Sequence, residues 1–185
     1  VEALTTSTLA VAIAEIGDKT QLLALVLSCR FRKPLPIIVG ILAATLLNHG
    51  FAGSVGVWVQ HWLDPAWLRY LLAGSFFVMA FWMLIPDQLD DEDGQFRRYG
   101  PFITTFVLFF LAEMGDKTQV ATVLLAARFV DDFWLVVAGT TLGMMAANVP
   151  VVLIGKQGAE RIPMRWIHRA SALLFILLGI TTLWW

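Results

Sequence analysis

The octapeptide Ala14–Gln21, AEIGDKTQ, lies between LTTSTLAVAI and LLALVLS, flanks apolar enough to sit in a bilayer. It returns at Ala112–Gln119 as AEMGDKTQ, between FITTFVLFFL and VATVLLAA. An ionised side chain at the bilayer centre costs at least about 2.5–3.5 kcal/mol, so such residues normally face a bundle interior or a water-filled path. Keeping three of them twice implies a task. A structural Glu–Lys pair at i, i+4 would need one pair per half and leaves the rest of the string unexplained.

The surrounding composition supports the membrane reading. The chain has 185 residues, 58% hydrophobic and 15% charged, with mean hydropathy +0.74, against roughly 45–50% and about 25% in soluble domains. A spanning helix needs about 20 mainly apolar residues. Six are expected, near 3–29, 34–60, 66–86, 101–127, 132–155 and 165–185, each too long and too continuously apolar for a barrel strand. The first is read as a retained span, since no basic region and cleavage site accompany it. The net charge of −1 points to no nucleic-acid partner, and the single cysteine, Cys29, leaves no CxxC metal site and no internal disulfide.

The two strings are offset by 98 positions, 15 to 113, and the same offset carries Arg30-Phe31 onto Arg128-Phe129. Further on, Gly40 answers Gly139 and Asn48 answers Asn148. The expected architecture is all-α, six transmembrane helices as two three-helix repeats, residues 1–86 and 101–185, joined by an acidic linker, 87–100. An odd number of crossings per half makes the second repeat inverted. Basic residues orient it. Arg30, Arg32, Lys33, Arg97, Arg98, Lys156, Arg161, Arg165 and Arg169 fall on one side, Arg69 and Arg128 on the other. Nine against two puts the first side, with the linker, in the cytoplasm and both termini outside.

On a continuous helix Glu15 would neighbour Asp18 and Lys19, and Glu113 would neighbour Asp116 and Lys117. Gly17 and Gly115 let a helix open or let backbones pack closely; both uses fit. Gln21, Gln119, Thr20 and Thr118 add oxygens, with Gln21 on the face of Asp18 and Thr20 further round, free to bond its own backbone. Asn48 and Asn148, mid-helix in each half, supply amides for a ligand or a helix-to-helix hydrogen bond. Carboxylate, amide and hydroxyl without thiolate suit Mn²⁺, Ca²⁺ or Mg²⁺. His49 adjoins Asn48 as a further ligand or proton relay, where the other half has Val149. Met144 and Met145 precede Asn148; a thioether near the site would favour Mn²⁺, and packing accounts for them equally well. The run Asp87–Asp93, DQLDDED, has no counterpart in the other half and reads as a solvated linker. The eight tryptophans fall mostly near expected helix ends, as an interfacial belt would.

The duplicated E-x-G-D-[KR]-[ST] string, Glu15–Thr20 and Glu113–Thr118, resembles the signature of the Golgi and chloroplast calcium/manganese transporters, whose bacterial members are the MneA-like manganese exporters. The resemblance covers the whole chain. It implies export of Mn²⁺ or Ca²⁺ from the cytoplasm in exchange for protons, with Glu15, Asp18, Glu113 and Asp116 as metal ligands and no prosthetic group. The compact size resembles the bacterial members, which favours Mn²⁺ and a bacterial inner membrane. Two other classes compete. An intramembrane aspartyl protease would leave the lysines without a part, and a passive channel would be obstructed by them. Four carboxylates and two lysines carry a formal charge of −2, which one divalent cation neutralises.

Overall fold

In a computed structural model the chain is described at residues 1–62, 65–82, 84, 99–154 and 164–184. The run Asp87–Asp93 and the basic residues Arg97, Arg98, Lys156 and Arg161 lie outside the described residues. The described chain is all-α. Its helices are α1 (Glu2–Glu15), α2 (Lys19–Phe31), α3 (Pro34–Trp62), α4 (Pro65–Trp82), α5 (Gly100–Glu113), α6 (Lys117–Arg128), α7 (Phe133–Ile154) and α8 (Met164–Leu183). A 3₁₀ turn, Val130–Asp132, leads into α7.

This corrects the expectation of six transmembrane helices in two three-helix repeats. Eight α-helices are present among the described residues, and two of them are long and apolar enough to cross a membrane: Pro34–Trp62, and Val130–Ile154 with its leading turn. The runs 3–29 and 101–127 are not continuous. Ile16 and Met114 are extended (ψ 116° and 120°), Gly17 and Gly115 turn to φ +85° and +72°, and Asp18 and Asp116 restart the helix in matching extended geometry. Each run thus becomes two pieces of 12–14 residues, shorter than the roughly 20 that a 30 Å hydrocarbon layer requires of a straight helix. Average hydropathy is blind to such a break, because it registers one glycine and no dihedral angle.

Local chemistry explains the ends. Left-handed backbone is costly for any residue with a Cβ, so glycine stands at both turns. The Asp18 carboxylate accepts from the Lys19 N–H at 2.7 Å, capping α2. Arg32, in αL conformation, ends α2 with its N–H on Ser28 O, and Pro101 sits in the first turn of α5.

Packing is reciprocal. Helix α1 lies on α7 and α5 lies on α3; α3 packs on α6 and α7, and α4 on α8. Gly139 and Gly143 let α1 approach closely, since a Cβ on either would stand 2.6 Å from Leu4 O or Thr8 O. Gly40, the counterpart of Gly139, does the same for α5: its Cβ would stand 3.0 Å from Phe102 O. Small residues therefore bring the ends of α1 and α5 deep between the long helices. The outer surface is apolar, with Leu35, Phe51, Phe81 and Trp134 among many exposed large hydrophobics. A surface of that kind belongs in lipid, which puts the protein in a membrane.

Candidate metal centre

Each motif helix stops at its glutamate. Glu15 and Glu113 are the last residues of α1 and α5, and both are fully buried. The break turns the following residues back on them. Asp18 N–H donates to Glu15 O and Asp116 N–H to Glu113 O, both at 3.1 Å. Gln21 and Gln119 each use their side-chain oxygen to accept the N–H of the turn glycine, Gly17 at 2.9 Å and Gly115 at 2.7 Å. The same words therefore build the same loop twice.

Thr20 donates its hydroxyl to Glu15 Oε2, and Thr118 donates to Glu113 Oε2. The continuous-helix expectation pointed Thr20 elsewhere; the break brings it round. Both glutamates thereby have one oxygen held. Their Oε1 atoms, and Asp116 Oδ2, accept no hydrogen bond among the described residues.

Glu15, Glu113 and Asp116 come together across the two halves, with one carboxylate oxygen from each lying within 4.8 Å of the others. Oxygens opposite each other on one ion stand roughly 4.2–5.2 Å apart for bonds of about 2.1–2.6 Å, so a single hard cation can reach all three. Asp18 is buried but does not belong to this set; it caps α2. The two motifs are thus unequal, one giving both acids and the other only its glutamate.

The lysines differ as well. Lys19 reaches across to Asp116, Nζ to Oδ1 at 3.1 Å, with its side chain one-quarter exposed. Lys117 is buried. With three carboxylates and the Lys19 ammonium, the cluster carries a formal charge of −2.

The mid-helix residues also part ways. Asn148, on α7, directs Nδ2 toward Glu15 Oε2 at 3.4 Å and donates to Met144 O at 3.1 Å, with Met144 Sδ at 3.0 Å. Asn48, on α3, instead donates to Phe110 O at 3.1 Å. The residue that faces Glu113 is His49, whose Nε2 stands 3.9 Å from Glu113 Oε2. Gln21 has a second job, donating Nε2 to Ala147 O at 3.0 Å and so tying the first break to α7. Sequence reasoning offered the glutamines as ligands; here they brace the breaks. The spacing of Gly17 to Gln21 and of Gly115 to Gln119, four residues each, was the available signal.

With this geometry in view, comparison with known proteins gives a consistent answer. The profile of the family described as divalent cation/proton antiporter GDT1 matches residues 3–91 and 101–185. A putative manganese exporter of Vibrio cholerae is 53% identical over 172 residues, covering 93% of this chain and 86% of that protein. A GDT1-like protein of Synechocystis is 29% identical over 99% of this chain and 97% of its own length, and GDT1-like protein 5 of Arabidopsis thaliana is 27% identical over 92% and 90%. No solved structure gives a significant match.

Proposed function

This chain belongs to the GDT1 family of divalent cation/proton antiporters, and on that footing we propose that it exports Mn²⁺ from the cytoplasm in exchange for protons. The family makes it a membrane transporter of divalent cations and not an enzyme. One observation carries the rest: three buried carboxylates from two helix breaks lie within reach of one ion, each with an oxygen that accepts no hydrogen bond among the described residues. Buried charge without a partner is costly. A transported cation removes that cost for as long as it stays.

In this reading Glu15, Glu113 and Asp116 hold the ion, and Asp18 belongs to the same machinery through its place in the repeated motif. Thr20, Thr118 and Asn148 orient the glutamates. Lys19 offsets one charge of the cluster and Lys117 offsets that of Asp18, so the total over both motifs stays at −2; Gln21 and Gln119 hold the breaks, and Asn48 fixes α3 against α5. Mn²⁺ is preferred over Ca²⁺ because the Vibrio relative, named a putative manganese exporter, shares half its residues with this chain. Residues 1–86 and 101–185, joined by the linker 87–100, each contribute one motif to this site.

Coupling follows from charge. A cluster at −2 is neutralised by one divalent cation, or by two protons on the same oxygens. Either load can cross the low-dielectric barrier; the bare cluster cannot cross cheaply. The cycle is then one Mn²⁺ out for two H⁺ in, without net charge movement. In proteoliposomes Mn²⁺ flux should follow an imposed pH gradient, carry protons the other way and respond little to a valinomycin-set voltage. Flux that tracks voltage and ignores the pH gradient would overturn the mechanism.

Orientation is proposed from the basic residues: both termini on the outer face of a bacterial inner membrane. Cys29 is the chain's lone cysteine, exposed, and adjoins Arg30. A membrane-impermeant maleimide should label it in inside-out vesicles and not in intact spheroplasts. The reverse pattern would invert the topology.

A further inference from the structure

We propose that His49 is a ligand of the transported ion, placing a nitrogen beside Glu113 at the edge of the Glu15–Glu113–Asp116 cluster and biasing the site toward a first-row transition metal over Ca²⁺. The inference rests on the reading of that cluster as the transport site.

His49 is fully buried on α3, and neither ring nitrogen has a hydrogen-bond partner among the described residues. Leaving a buried polar group unsatisfied costs about 1–3 kcal/mol, and an imidazole carries two such atoms. Valine would fill the place without that cost, and valine is what stands at the matching position, Val149. The ring faces Glu113, at the edge of the three-carboxylate set and not within it. Its Nε2 lies 3.9 Å from Glu113 Oε2, too far for a hydrogen bond. An ion bound to both atoms at about 2.1 Å can, however, span up to about 4.2 Å. The separation fits a shared cation better than a direct contact.

Comparing the two glutamates sharpens the point. Glu15 is faced by the Asn148 amide. Its counterpart Glu113 is not faced by Asn48, whose amide is spent on Phe110 O, but by the imidazole one residue on. The centre therefore has an amide on one side and an imidazole on the other. Ca²⁺ and Mg²⁺ take oxygen ligands and gain little from imidazole, whereas first-row transition metals bind it well. A single nitrogen on one side tilts the site away from Ca²⁺ and Mg²⁺.

Mn²⁺ is paramagnetic, so the bond can be observed directly. The full chain in detergent is loaded with Mn²⁺ and examined by pulsed electron paramagnetic resonance for the coupling of a directly bound ¹⁴N. The expected result is one such nitrogen, absent in His49→Gln and in His49→Val. Mn²⁺ affinity should fall about 10–100-fold in both variants, while Ca²⁺ affinity stays within about twofold. Bound Mn²⁺ without nitrogen coupling, coupling that survives His49→Gln, or equal losses for both metals would overturn the proposal and leave the carboxylate site standing. Wild-type Mn²⁺ binding that Glu113→Gln does not weaken would remove the carboxylate site, and this inference with it. A wild-type spectrum without nitrogen coupling overturns the proposal even if neither variant folds.

Discussion

Glu15→Gln and Glu113→Gln, made singly, should each lower Mn²⁺ transport in proteoliposomes by about 100-fold or more, equivalent to roughly 2.7 kcal/mol or above. Both glutamates end a helix at full burial and meet with Asp116 around one point. Glutamine keeps the shape and still accepts the Thr20 or Thr118 hydroxyl, so the change isolates charge. A hard cation's affinity depends on the number of anionic oxygens around it. The variants should nevertheless insert at normal levels, because an amide is easier to bury in a bilayer than a carboxylate. Asp116→Asn should match them and also release Lys19 from its 3.1 Å bridge. Asp18→Asn should lose less, about tenfold, since asparagine can still cap α2. Asp131→Asn, at an exposed position in the 3₁₀ turn, should be silent. Full transport by either glutamine variant would dismiss the three-carboxylate site.

The second large effect is expected from Gly115→Ala. Gly115 has φ +72°, and a Cβ built there meets nothing within 4 Å. The strain is therefore conformational and not steric, about 1–2 kcal/mol for an L-residue in the left-handed region. Relief lies in straightening α5 into α6, which would carry Asp116 away from Glu15. Mn²⁺ affinity should drop roughly 5–30-fold. Gly100→Ala is the matched control, with φ +78° and nothing within 4 Å, at the far end of α5 from the cluster. It should lower the melting temperature in detergent about as much as Gly115→Ala while leaving the affinity of the folded protein unchanged. Equal affinity losses in both variants would show that the break at Gly115 has no special part in the site.

Much of the centre could be read from the two copies of one word. Duplication of the E-x-G-D-K-T-Q string argued for a shared site, and the structure brings Glu15, Glu113 and Asp116 together although Glu15 and Glu113 stand 98 positions apart. The helix break was half legible, because Gly17 and Gly115 admitted both opening and close packing. Choosing between those uses needs the φ angle, which composition does not carry. For that reason two of the expected spans, 3–29 and 101–127, failed, since hydropathy joins α1 to α2 and α5 to α6 across the breaks. Two others, 66–86 and 165–185, fall short because their described apolar helical runs are only Arg69–Trp82 and Ala172–Leu183. The unequal roles of Asp18 and Asp116, and of Asn48 and His49, were not legible either. Identical words predict identical roles, and only packing against different neighbours separates them. Gly40 and Gly139 are the opposite case, since their correspondence in sequence reappears as the same close approach of helix to helix.

The reciprocal packing has a consequence for how the chain is made. Each extensive helix contact joins an early segment to a late one: α1 to α7, α3 to α5, α6 and α7, α4 to α8. Contact order is therefore high, and the native arrangement cannot be assembled as the nascent chain emerges. Glu15 is synthesised early, yet Asn148, which faces it, leaves the ribosome 133 residues later. Until then α1 exposes Ser7 and Glu15 without the helix that buries them. The N-terminal half consequently cannot complete its packing by itself, and a chain cut short before α7 has neither the partner of α1 nor a complete site.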